Sequence, residues 1–256
     1  MEHSPPKSLY CSTAPLLQSK RTLCVCFRSP ANGGATERLF DVITFDCYGT
    51  LIDWEEGIGT AFAAAAALAG VMLDHTAVLQ AYGEGEPAVE AEGYRSYRAV
   101  LAETARRVAV RLGWPLTEKR ASFLADSVPD WQPFADTNPA LTRLAAAGYR
   151  LGILSNVDDD LLAGTLRHFG VTFDLLVTAE QVRSYKPAPG HFHAARRWMG
   201  GWRWLHVAQS LFHDVSPAGL LGIPVAWINR KGEGGPNEGH TVREFRTLLE
   251  LADWLA

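Results

Sequence analysis

Cysteine is scarce in this chain. Four residues in 256, Cys11, Cys24, Cys26 and Cys47, show neither the density of a secreted disulfide scaffold nor paired C-x-x-C zinc spacing. A reducing, cytoplasmic setting is the expectation. No apolar run reaches the roughly 20 residues needed to cross a bilayer, and the Ala61–Ala69 stretch is short and mostly alanine. Charge of one sign is also lacking. With 24 Lys and Arg against 28 Asp and Glu, net −4, the chain has no basic field for nucleic-acid phosphates or an anionic membrane. No internal repeat is found. The glycines of Gly232-Glu233-Gly234-Gly235-Pro236 do not join a strand to a helix and read as a flexible loop rather than a nucleotide fingerprint.

What is present is enough apolar material, 47% of the residues, to bury a full core. Residues 1–38 differ in kind: Lys7, Lys20, Arg21 and Arg28 are scattered among Ser, Thr, Pro and Gly without a period, so a disordered extension is expected ahead of a targeting peptide. From Leu39 a short apolar run to Asp46 reads as a buried strand closed by a turn at Gly49-Thr50. Helical patterns then dominate from about Asp53 to Asp130, the last long one running from Tyr94 to Leu112 and ending at Gly113. After a helix at Ala140–Ala147, strand and helix alternate. Strands are expected at Tyr149–Leu154, Phe173–Thr178, Trp204–Ala208 and Val225–Asn229, with helices at Leu161–Phe169, Pro189–Met199 and Ser216–Leu221. Such alternation predicts an α/β fold with a doubly wound parallel sheet. Its core would comprise residues 39–52 and 134–256, with a helical insertion at 53–133.

Ligands of open parallel sheets bind beyond the carboxyl ends of the strands. Asp46, Ser155, Asn156 and Asp214 all follow apolar strands, and Lys186 follows a connecting loop. Each alone is compatible with a cap, a turn or a solvated loop. As a set they also form an ordered series of motifs: Phe45-Asp46-Cys47-Tyr48-Gly49-Thr50-Leu51, Leu154-Ser155-Asn156, Ser184-Tyr185-Lys186-Pro187, and Asp214 beyond a hydrophobic strand.

That series resembles the four signatures of haloacid dehalogenase superfamily hydrolases, with the insertion as the family's helical cap. The resemblance implies a small-molecule substrate, a homodimer, and Asp46 as a nucleophile forming a covalent ester that water later opens. Asp214 would orient or deprotonate that water, and Lys186 would keep Asp46 ionised and neutralise a substrate carboxylate. Thr50, Ser155 and Asn156 would fix oxygens, and backbone N–H groups around Cys47, Tyr48 and Asn156 would stabilise developing charge.

Two positions after the nucleophile, the superfamily's phosphatases usually carry an Asp as general acid and base; here Tyr48 stands there. A departing halide needs no proton, so Tyr48 points toward the 2-haloacid dehalogenases, which need no cofactor. Gln209, where many phosphatases place a carboxylate that helps hold Mg²⁺, points the same way. A Mg²⁺-dependent phosphatase with Asp46 and Asp214 as ligands, and an inactive binding protein on the same fold, are the rival readings. This chain departs from the dehalogenases in having no Arg or Lys between Asp74 and Ala88 to receive the halide, and in carrying Leu211 where they have Asn. Arg95 and Arg98 are stand-ins only if they turn inward, and a solvated helix face is the expectation for both. His213 is expected to be packed or hydrogen-bonded, and Trp198, Trp202 and Trp204 to be packing residues.

Overall fold

Parallel strands buried on both faces read as unbroken apolar runs, and Val42–Phe45, strand β1, has all four residues buried. In a computed structural model, which describes residues 38–235 and 241–256, β1 lies at the centre of a six-stranded, all-parallel sheet. The strands are β2 (Arg150–Ser155), β3 (Leu175–Thr178), β4 (Trp204–Ala208), β5 (Val225–Ile228) and β6 (Thr241–Phe245), in the order β3-β2-β1-β4-β5-β6. The doubly wound α/β expectation is therefore met. Winding reverses between β2 and β4 on either side of β1, so the crevice opens at the carboxyl ends of β1 and β4. Asp46 follows the first directly, and the segment Gln209–Asp214 follows the second.

Between β1 and β2 the chain makes a helical excursion. It leaves and returns through one point: the Asp53 N–H donates to the Gln132 carbonyl at 2.9 Å, and the Phe134 N–H to the Leu51 carbonyl at 3.1 Å. The excursion holds α1 (Trp54–Ala67), α2 (His75–Ala91), α3 (Tyr97–Arg111) and α4 (Phe123–Ser127). Side chains cap three of them, Asp53 accepting from Glu56 N, Asp74 from Ala77 N and Ser96 from Ala99 N. Asp158, on the loop after β2, also accepts from the backbone N–H groups of Tyr97 and Arg98 at 2.8 and 2.9 Å. A carboxylate of the core thus seats the positive end of α3 over the sheet edge.

Helix α2 runs through Pro87 without a break. Pro87 donates no hydrogen bond to the carbonyl four residues back, at Gly83, and packing of the buried Val78, Ala81, Tyr82 and Val89 outweighs that loss. Helix α5 (Thr137–Ala146) starts before Asn138-Pro139 rather than after it. Proline is tolerated in a first turn, where its missing N–H would have had no acceptor. The remaining helices are α6 (Asp159–Leu166), α7 (Ala179–Val182), α8 (Gly190–Met199), α9 (Ser216–Leu220) and α10 (Leu248–Leu255), with a π-helical turn at Leu211–Val215 leading into α9. Strand β6 and helices α7 and α10 were not expected. The face of α10 formed by Leu248, Leu251 and Ala252 is buried against α5.

Among the described residues no helix is long and apolar enough to cross a membrane. Apart from Arg38, the extension expected to be disordered lies outside the described residues, as do Cys11, Cys24 and Cys26. The Gly232–Pro236 loop is described only as far as Gly235.

Candidate active site

Beyond the crevice a cavity of about 240 Å³ separates the sheet edge from the helical excursion. Its floor is formed by Asp46, Tyr48, Ser155, Asn156, Lys186, Gln209, Ser210, His213 and Asp214, and its roof by Trp54, Ile58, Tyr82, Gly83, Glu86, Pro87, Tyr97 and Trp131. The volume suits a small molecule of a few carbons.

Lys186 organises the floor. Its ammonium, 1% exposed, donates to Asp46 Oδ1 at 2.8 Å, Asp214 Oδ1 at 2.7 Å and the Leu154 carbonyl at 2.9 Å, so all three of its protons are used. Burial alone would depress a lysine, but the two carboxylates hold it above its ordinary range. Burial raises Asp46, and the Asp214 charge adds to that, while Lys186 and Thr50 pull the other way. Asp214 is buried too, yet Lys186 and a hydrogen bond from His206 hold it well below the usual carboxylate range. The assembly is therefore two carboxylates sharing one ammonium.

Thr50 Oγ donates to Asp46 Oδ2 at 2.9 Å and accepts from the Gln209 N–H at 3.0 Å, linking the ends of β1 and β4. It orients the nucleophile and does not line the cavity. Asn156 also holds the Lys186 loop, its Nδ2 donating to the Lys186 carbonyl at 3.0 Å and its Oδ1 accepting from the Lys186 N–H at 2.7 Å, and it lines the cavity as well. The Cys47 side chain is fully buried, and its thiol is raised well above the ordinary value by burial and by Asp46. What Cys47, Tyr48 and Asn156 offer is their backbone N–H groups, none of which has an acceptor among the described residues. Ser155 Oγ, buried at the cavity floor, is also unpartnered.

Tyr48 lines the cavity with its hydroxyl 2.9 Å from Thr165 Oγ and its ring edge-on to Trp131. Burial holds its phenol well above the ordinary value, so it is a neutral wall rather than an acid or base. His213 has Nδ1 3.2 Å from Ser210 Oγ and leaves Nε2 buried without a partner. Burial and Lys186 lower its pKa, which keeps the ring neutral. Arg95 and Arg98 are not in the cavity: Arg95 pairs with Glu92, and Arg98 with Asp126 and Asp160, all partly exposed.

A buried relay behind Asp214 was missed in the sequence. Trp204 Nε1 donates to Thr44 Oγ at 2.7 Å, Thr44 Oγ is 2.9 Å from His206 Nδ1, and His206 Nε2 is 3.0 Å from Asp214 Oδ1. His206 thus spans the space between Thr44 and Asp214, one ring nitrogen facing each. Thr44 and His206 are register partners on β1 and β4. The only signal was a threonine and a histidine inside otherwise apolar strands. Trp204 thus has a polar task, whereas Trp198 and Trp202 meet edge to face with ring centroids 5.2 Å apart.

Lys186 spans Oδ1 of both carboxylates, and among the described residues no group of three His, Cys, Asp or Glu could hold a metal ion.

Comparison with known proteins agrees with this geometry. The haloacid dehalogenase-like hydrolase family matches residues 40–204. An (S)-2-haloacid dehalogenase of Pseudomonas putida is 28% identical over 226 residues, spanning 83% of this chain and 95% of that enzyme. Haloacetate dehalogenase H-2 of Moraxella sp. (strain B) is 33% identical over 142 residues, 52% of this chain and 63% of that one. In fold, the chain resembles L-2-haloacid dehalogenase from Xanthobacter autotrophicus with chloropropionic acid covalently bound, with a TM-score of 0.68, 20% identity, and coverage of 84% of this chain and 97% of the other.

Proposed function

Because this chain belongs to the haloacid dehalogenase-like hydrolase family, we propose that it hydrolyses a small 2-haloalkanoic acid, such as haloacetate or 2-halopropionate, to the 2-hydroxy acid through an ester on Asp46. The observation that carries the reading is the pairing of Asp46 with Lys186 at the floor of a small cavity whose nearest side chain along the chain, Tyr48, is a neutral phenol and not a carboxyl. A phosphate ester needs its leaving oxygen protonated; a halide does not.

In the first step an Asp46 oxygen attacks C2 as the carbon–halogen bond breaks, its electron pair leaving with the halide and C2 inverting. The substrate carboxylate lies against Ser155 Oγ and the N–H groups of Tyr48 and Asn156. In the second step water adds to the Asp46 carbonyl carbon. Asp214 has its Oδ2 buried and unpartnered while Oδ1 is held by Lys186 and His206; Oδ2 takes the water's proton and returns it to the departing 2-hydroxy acid oxygen. Collapse leaves Asp46 as its acid, which carries the second water proton; release of that proton to solvent regenerates the carboxylate.

The test is halide release from racemic 2-chloropropionate beside phosphate release from p-nitrophenyl phosphate, each with Mg²⁺ and with EDTA. Halide release insensitive to EDTA is expected; Mg²⁺-dependent phosphate release without halide release would overturn the reading.

A further inference from the structure

In-line displacement sends the leaving group to the side of C2 opposite the nucleophile. Asp46 is on the floor, so whatever departs does so against the roof. Across the described roof residues there is neither Arg nor Lys, and the polar side chains are Trp54, Tyr82, Glu86, Tyr97 and Trp131, whose Nε1 is spent on Ser127 Oγ. The two tyrosine protons are committed. Tyr97 Oη donates to Glu86 Oε1 at 3.0 Å, and Tyr82, 3.3 Å from Tyr97 Oη, must donate to it. Both point along one chain that ends on Glu86, whose other oxygen has no partner among the described residues.

We propose that Glu86, in its neutral acid form, donates the hydrogen bond that receives the departing halide, taking the place of a cationic side chain. This rests on the dehalogenation reading for its substrate. No proton need move: the halide leaves with its electron pair, Glu86 keeps its O–H, and the bond strengthens as charge develops. A carboxylate at the same position would repel the halide, so Glu86 must be protonated to work.

The surroundings favour that state. Glu90, one turn along α2 on the same face, is a second carboxyl with Oε1 buried and unpartnered. Burial raises Glu86 to about 7, against the pull of Tyr97, and burial together with Glu86 raises Glu90 to about 9, against Lys186. Facing this pair are Tyr97 from α3, Tyr82 on α2 itself, Tyr185 and Lys186 from the loop before α8, and Asp46, His213 and Asp214 across the cavity; α1 contributes Trp54 and Ile58. The sole ammonium in that set is already shared by two floor carboxylates.

Two measurements test the proposal. Bromide binding, read from the fluorescence of the wild-type protein whose cavity contains Trp54 and Trp131, should weaken about tenfold between pH 6 and pH 8, because the neutral fraction of a group at about 7 falls by that factor. In Glu86→Gln, which keeps a donor but does not titrate, that dependence should vanish. Likewise kcat/KM for 2-chloropropionate should fall on the alkaline side in wild type and lose that limb in Glu86→Gln, whatever its absolute rate. Glu86→Ala should lose more rate with chloride than with the weaker acceptor iodide as leaving group. Bromide affinity independent of pH, or an alkaline limb unchanged in Glu86→Gln, overturns the assignment. Bromide binding with the expected pH dependence, but no halide release from any 2-haloalkanoate, would support the roof donor and sink the dehalogenation reading instead.

Discussion

Replacing Lys186 by methionine, a near-isostere without charge, removes an ammonium that is 1% exposed and makes three hydrogen bonds. The loss leaves Asp46 and Asp214 as neighbouring buried carboxylates with no counter-charge. Breaking a buried ion pair by deleting one partner costs about 3–5 kcal/mol. For a domain of this size each kcal/mol moves Tm by about 2–4 °C, so melting at pH 8 should drop by roughly 6–20 °C. The deficit should shrink toward pH 5 because of the variant alone. In wild type, Asp214 is depressed relative to the unfolded chain, so its stabilisation is fully present above the unfolded carboxylate pKa and stays constant from pH 8 to pH 5. In the variant, one of the two unpaired carboxyls is raised, and protonating it at lower pH relieves the repulsion. Circular-dichroism melts of both proteins from pH 5 to pH 8 measure this. A deficit below about 1 kcal/mol, or one constant across that range, would refute the shared-ammonium account.

Three further outcomes are expected. Asp46→Asn should lower kcat on the order of 10³-fold or more while its melting curve stays cooperative; full activity in that variant would remove the covalent mechanism. Thr44→Val should strip Trp204 Nε1 and His206 Nδ1 of their common partner, costing about 1–3 kcal/mol in a denaturant titration. By loosening the His206 bond to Asp214 it should also move the acid limb of kcat/KM to higher pH. Gly57→Ala would drive a methyl into the Trp131 ring, and Trp131 is pinned by its Nε1 bond to Ser127 Oγ at 3.0 Å. Overpacking of about 1–3 kcal/mol should lower Tm, and displacement of a cavity wall should raise KM.

The floor of the site was legible because catalytic groups at the ends of parallel strands stand in short local motifs. Asp46, Lys186 and Asp214 were identified from their own neighbours in the chain and are brought within hydrogen-bond reach in space. Side-chain tasks were less legible. Asn156 stood in its motif as a substrate ligand, and only the return of the Lys186 loop beside it shows that its amide also holds that loop. Strand β6 escaped notice because Val242, Arg243 and Glu244 are exposed at a sheet edge and show no apolar run. Helix α10 was overlooked although its periodicity was present.

The sequence by itself determined the alternation of strands and helices, and hence the parallel sheet, because burial on both faces demands continuous apolar runs that nothing else in a chain of this length explains. It also marked Asp46 and Lys186, which meet at the cavity floor. Tertiary structure alone decided what faces them. Glu86 and Tyr97 are eleven residues apart on different helices, and Thr44 and His206 are separated by 162 positions. Such pairs have no local pattern, since their meeting depends on how an excursion of helices settles over a sheet edge and on strand register. The character of the roof, a glutamate hydrogen-bonded to a tyrosine of the next helix, follows from packing between elements and is written in no single stretch of the chain.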